Sequence, residues 1–259
     1  LYSGGLLFDF VWPGTILPYY GAMFALAALM FTLRSRWLVV IGAGAAVAGW
    51  SIGWWMFERS LDGESTTWLT DPGPRSPRGL LFDLFVNGTH PLLPWLAFFC
   101  AGIVLGRLLT TTWWRPAAVG IGFGLYSLAT IVNTLGADDR SLVLLSDDPF
   151  DRGVVYVASA LGTALIAFGA ISWLADRFET TPAVDALRRA GQMSLTIYLG
   201  HALLFNLIVD WLDVLEPRGI GTALAATAAY WFTATALAVM YQRRHGRGPA
   251  ETIYRRLTA

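Results

Sequence analysis

The sequence predicts an all-α protein: a polytopic transmembrane helix bundle with about eight membrane segments, the first of them incomplete. Three observations carry this expectation. Of the 259 residues, 55% are hydrophobic and the mean hydropathy is +0.53, too apolar for a water-soluble domain of this size. Apolar stretches recur at about 20 residues, the length a helix needs to cross a bilayer at about 1.5 Å per residue. The polar turns between them alternate in arginine content. No shift in composition divides the chain, so residues 1–259 read as a single transmembrane helical domain.

The formal charge is balanced, 18 basic against 18 acidic residues, which gives no footprint for a nucleic-acid partner. All 18 basic residues are arginine. The single cysteine, Cys100, lies inside an apolar run, so neither a disulfide nor a cysteine-based metal site is available. There is no zinc motif, no glycine-rich phosphate loop and no G-x-S-x-G, and no metal is expected.

Residues 1–13 hold Asp9 and end at Trp12-Pro13-Gly14, where proline and glycine break the helix. The run is too short to span, and the chain does not begin with Met. The sequence therefore reads as part of a longer protein, or as one whose true N-terminus is not included. A second segment covers about 16–33, and Arg34-Ser35-Arg36 makes a basic turn. A third, about 37–57, has Gly and Ala in its first half, which allow close helix contact, and Trp in its second half, which suits an interface.

The stretch 58–78 is a polar loop containing DPGPRSP, and 79–87 is a short helix suited to a membrane surface. The fourth segment opens at THPLLPW, with Pro91 in the first turn and Thr89 or His90 near the cap. Segments five and six cover about 116–136 and 154–175, joined by an Asp-rich loop, 137–153. A polar connector with a short helix after Pro182 leads to segment seven, 191–213. Glu216-Pro217-Arg218-Gly219 turns into segment eight, about 220–241, and a basic tail follows.

One set of turns holds twelve arginines: Arg34, Arg36, Arg107, Arg115, Arg177, Arg188, Arg189, Arg243, Arg244, Arg247, Arg255 and Arg256. The other holds six: Arg59, Arg75, Arg78, Arg140, Arg152 and Arg218. Positive residues favour the cytoplasmic side, which places the first set and the C-terminus in the cytoplasm of a plasma (inner) membrane protein.

Segment seven carries a polar row at a depth where lipid offers no hydrogen-bond partner. Ser194, Tyr198, His201 and Phe205 share one helix face and are expected to look into the bundle interior. His201 reads either as a packing histidine or as part of a site.

Three stretches carry a resemblance. LLFDFVWPGTILPYYGAMFALAAL, HPLLPWLAFFCAGIVLGR, and GQMSLTIYLGHALLFN with a C-terminal GPAETIYRRLT resemble the YeiB-like membrane proteins. Those proteins are similar to the heparan-alpha-glucosaminide N-acetyltransferase family of transmembrane acyltransferases. The resemblance implies a larger helix bundle and transfer of an acyl group from cytoplasmic acyl-CoA to an extracytoplasmic sugar, lipid or other envelope acceptor. The family's first two helices, which bear its usual catalytic histidine, have no counterpart here, so that residue maps to no position of this chain.

Acyl transfer needs a base for the acceptor's proton and cations for the CoA phosphates. Histidine titrates in the right range. His245 lies in the basic tail, His90 at the outer mouth of segment four, and His201 near mid-membrane. The helix rise separates His90 and His201 by roughly 15–20 Å in depth, so both cannot serve one reacting atom. His90, His201 and Asp9 are the weak catalytic candidates. His90 also reads as a plain helix-start residue, and Asp9 as an interhelix hydrogen-bonding group near the interface. Arg107, Arg115, Arg188 and Arg189 are the residues for acyl-CoA phosphates, and Tyr198 joins them on the acyl-CoA passage that His201 would shape. The expected partners are membrane lipid, acyl-CoA and an extracytoplasmic glycan or glycolipid, with an oligomer open.

A transporter or carrier is the competing reading. It would be expected to show internal repeats and broken helices at matching positions, which the sequence lacks. A non-catalytic subunit that anchors a partner would be expected to lack ionisable residues inside its membrane segments.

Overall fold

The structure is a computed structural model. It describes residues 1–13, 15–71, 76–136, 138–214, 216 and 219–258. Most of the DPGPRSP loop, Arg218 and Gly14 lie outside the described residues. The described residues form helices joined by turns and short loops, with no strand among them.

Thirteen helices follow in order: α1 Tyr2–Phe8, α2 Leu17–Met30, α3 Ser35–Leu61, α4 Thr67–Thr70, α5 Pro77–Phe82, α6 Leu92–Leu108, α7 Trp114–Asn133, α8 Asp139–Leu145, α9 Val154–Arg177, α10 Pro182–Gly191, α11 Ser194–Phe205, α12 Ile220–His245 and α13 Pro249–Thr258. Two of them run on into π-helical turns, Asp83–Asn87 after α5 and Asn206–Trp211 after α11.

All eight apolar stretches are helical, but they differ in reach. Among the described residues, five helical segments are long and apolar enough to cross a membrane: α3, α7, α9, α11 with its π-helical turn, and α12. A sixth is counted if Pro77–Asn87 and α6, bent by 56°, form one span. The 14-residue α2 is about 21 Å long, short of a hydrocarbon layer of about 30 Å. The long helices also expose large apolar side chains, among them Val39, Ile121, Leu128, Ile171 and Phe232. In water such surfaces would associate, whereas in lipid they are solvated.

Local chemistry sets many helix ends. Proline opens α5, α10 and α13, where its missing N–H costs nothing. Ser76 caps α5 by accepting the Gly79 N–H at 2.9 Å, and Thr181 caps α10 through Val184. Within the Asp-rich loop, α8 forms on a reciprocal cap. The Ser141 N–H donates to Asp138 Oδ1 at 2.8 Å, and the Asp138 N–H donates to Ser141 Oγ at 2.9 Å. The expectation of a plain loop there, and of a plain tail where α13 stands, is corrected by these helices.

Packing divides the chain into two compact units. One comprises Tyr2–Gly5 with Ile16–Trp173, the other Leu1 and Leu6–Thr15 with Leu174–Ala259. In the first, α3 lies along α6, with Met30, Leu38, Cys100 and Ile103 buried together. The Gly/Ala half of α3 makes the approach possible: a Cβ on Gly42 would sit 3.1 Å from Cys100 Cβ. Helices α7 and α9 touch at glycines, since a Cβ on Gly122 would lie 2.7 Å from the Gly162 carbonyl oxygen. In the second unit, Ala190, Met193, Ile197 and Ala238 form a core joining α10, α11 and α12.

Candidate functional site

Two polar clusters stand out, one in each unit. The first is built on α11. Its opening turn, with orphan backbone N–H groups, is capped from α13. Glu251 Oε1 accepts the Thr196 N–H at 3.0 Å, and Oε2 accepts the Thr196 hydroxyl. The Thr196 oxygen in turn accepts the Ala250 N–H at 3.1 Å. Gly248 is part of this joint, because a Cβ there would come within 2.6 Å of the Thr196 hydroxyl oxygen. The C-terminal Gly-Pro-x-Glu motif is thus a helix-to-helix fastening.

Further along α11, His201 is half-buried in an aromatic surround: Tyr198 at 5.2 Å, Trp12 edge-on at 5.6 Å and Tyr230 at 6.2 Å between ring centroids. His201 Nδ1 donates to the Tyr198 carbonyl. The Tyr198 hydroxyl bonds Thr15 Oγ1 at 3.1 Å, and Tyr230 donates to the Ile197 carbonyl at 2.6 Å. Buried Asn206 donates to the Val11 carbonyl where the helix widens into its π-turn. The expected inward face therefore holds at His201 and Tyr198. It does not hold at Ser194, which is exposed in the first turn of α11. Asp9 stands in an exposed turn after α1 ends at Phe8, not within a helix, because the helix stops short of it.

The second cluster surrounds His90, just before α6. Its half-buried ring packs against Trp95 at 5.4 Å and Tyr19 at 6.3 Å, and its Nδ1 is buried with no hydrogen-bond partner among the described residues. Arg152 stands beside it with a left-handed backbone, φ 53°. Its guanidinium donates to the Val86 carbonyl at 2.6 Å and the Gly88 carbonyl at 2.9 Å and lies over the Trp95 ring at 5.6 Å. Burial pulls the Arg152 pKa below its ordinary value, opposed by nearby Tyr19 and Tyr156. The Tyr19 hydroxyl accepts the Thr89 N–H at 3.2 Å, and a Cβ on Gly88 would lie 2.5 Å from the Asp83 carbonyl oxygen. Arg152 also lines a cavity of about 320 Å³ together with Trp50, Trp54, Phe57, Asn87 and Asp151.

The four arginines expected to meet CoA phosphates all have protein partners. Arg107 donates to Ser35 Oγ at 3.1 Å and the Phe31 carbonyl at 2.9 Å. Arg115 donates to Ser172 Oγ at 3.1 and 3.2 Å and lies over Trp114. Arg189 pairs with Asp185 at 2.8 Å and donates to Gln242 Oε1 at 3.1 Å, while Arg188 lies 3.9 Å from Asp185. Arg107 and Arg115 flank one turn, between α6 and α7. Arg188 and Arg189 share the last turn of α10.

Sequence reasoning passed over Arg152, Trp12, Asn206 and Tyr230. Only Asn206 carried a local signal, an amide in an apolar run.

Helices of this length and apolarity make this a multi-pass membrane protein. Residues 105–259 match a family described as proteins of unknown function, DUF418, the YeiB-like family, and the chain belongs to it. No curated protein and no solved structure matches the chain.

Proposed function

We propose that this chain is an integral-membrane acyltransferase, or the larger part of one, related to the heparan-alpha-glucosaminide N-acetyltransferase group. It would take an acyl group from acyl-CoA on the cytoplasmic side and pass it to a hydroxyl or amine of an extracytoplasmic glycan, glycolipid or other envelope acceptor. The observation that supports this best is His90: a buried ring nitrogen without a partner among the described residues, beside the Arg152 guanidinium, which itself lines an aromatic-walled cavity. A buried nitrogen of that kind is costly unless a bound group satisfies it.

In this reading the acceptor's O–H or N–H is oriented at His90. The new acyl C–O or C–N bond forms as the thioester C–S bond breaks, and CoA leaves as a thiolate. The proton goes to a histidine base; the family's usual one maps to no position of this chain. The His201 ring, held by the Tyr198 carbonyl, shapes the acyl-CoA passage. Arg107 and Arg115 supply the cationic turn for CoA phosphates.

Calorimetry of CoA against the full protein in lipid nanodiscs tests the donor half. Acyl transfer from labelled acetyl-CoA to an envelope extract tests the whole. CoA binding that weakens when Arg107 and Arg115 are both changed to Gln, with transfer reduced in His90→Ala, is the expected result. No CoA binding overturns the reading.

A further inference from the structure

Helix α13 has two unlike faces. Ala250, Ile253, Tyr254 and Leu257 fall at i, i+3, i+4 and i+7, which places them on one stripe. That stripe is open: Ile253 is 60% exposed and Leu257 81%. On the other side, Glu251 is fastened to the first turn of α11 through Thr196. The helix is therefore docked by its polar edge and leaves its apolar edge uncovered, the reverse of a surface helix in water.

Its surroundings are basic. From Arg243 to Arg256 there are five arginines, Arg243, Arg244, Arg247, Arg255 and Arg256, all exposed, against one carboxylate, Glu251, which the fastening uses. The linker from α12 is only Gly246–Gly248, so α13 begins within about 14 Å of the end of a membrane-crossing helix. An apolar stripe at that depth, ringed by guanidinium groups, fits the boundary between acyl chains and anionic headgroups. A second copy of the chain is the poorer occupant, because its five arginines would face these five.

We propose that α13 is a membrane-surface strap. It lies in the interfacial layer of an anionic leaflet with Ile253 and Leu257 in the lipid, and Glu251 transmits its position to the head of α11, the helix that carries Tyr198 and His201. This inference stands apart from the acyl-transfer reading and needs no substrate.

The test uses the full chain with Cys100→Ala and Leu257→Cys, labelled with an environment-sensitive fluorophore. The protein is placed in nanodiscs of phosphatidylcholine alone or mixed with phosphatidylglycerol. The strap predicts a blue-shifted emission and a fall in iodide quenching of about threefold in the anionic discs. Glu251→Ala should raise the quenching, and Glu251→Gln should raise it less, because an amide still accepts the Thr196 N–H. Hydrogen exchange of residues 250–257 in the unlabelled chain supplies a second readout, expected to slow in the anionic discs. Quenching equal to that of free dye in both lipids, with fast exchange, overturns the proposal. So does protection that follows the number of protein copies per disc and not the lipid charge.

Discussion

Tyr198 and Thr15 lie 183 positions apart and share a hydrogen bond of 3.1 Å, with the Thr15 side chain 1% exposed. Together with Trp12 on His201 and the Val11 carbonyl on Asn206, this lays Val11, Trp12 and Thr15 along successive turns of α11 and the π-helical turn that follows it. Tyr198→Phe keeps the ring and removes the bond. It should lower stability by about 0.5–1.5 kcal/mol, read by thermal unfolding in detergent. An unchanged midpoint would show that the bond carries no net weight.

Arg152 ties the backbone after α5 to the start of α6. Arg152→Met removes two charge-assisted bonds to carbonyls. With the side chain only half-buried, the net loss should be about 2 kcal/mol. Arg152→Lys should recover less than half of that, since an ammonium cannot span both carbonyls as a planar guanidinium does. Denaturation midpoints of the two variants decide it.

The crossing of α7 and α9 leaves no room for a side chain. A Cβ on Gly162 would fall 2.7 Å from the Gly122 carbonyl oxygen and 2.8 Å from the Tyr126 nitrogen. Gly162→Val should destabilise by about 1–3 kcal/mol or more. Gly120→Ala, whose Cβ meets open space, should not. Equal behaviour of the two variants in thermal unfolding would contradict the close crossing.

Asp185 gives α10 a pH dependence. The hydrogen bond from Arg189 holds its carboxyl below the usual value, helped by the charges of Arg189, Arg188 and Arg243. The unfolded chain therefore takes up its proton first. The contribution is complete above the ordinary aspartate value of about pH 4 and is lost as pH falls through the lower folded value. Asp185→Asn should flatten the acid limb of the melting-temperature profile by lowering the neutral region, and leave the strongly acid region nearly unchanged.

The helical class and the eight apolar stretches were legible from the sequence, because hydropathy reports directly on length and solvent. Helix ends at Pro77, Pro182 and Ser76 were also written in local chemistry. Helix α8 was hidden because five aspartates read as loop, although Asp138-x-x-Ser141 is a reciprocal cap. Helix α13 was hidden by its arginines, although its i, i+3, i+4, i+7 stripe was present. The site was less legible than the fold. His90, His201 and Tyr198 could be singled out as polar groups in apolar surroundings. Arg152 could not, because nothing local distinguishes an arginine that bonds Val86 and Gly88 from one that sets topology.

Cys100 is the sole thiol of the chain, and it is 1% exposed in the seam between α3 and α6. A reagent that modifies thiols is therefore blind to the folded protein and reacts only when that seam parts. The chain carries its own stopwatch: the rate of Cys100 labelling in a native membrane times the opening of one helix pair, with no engineered probe.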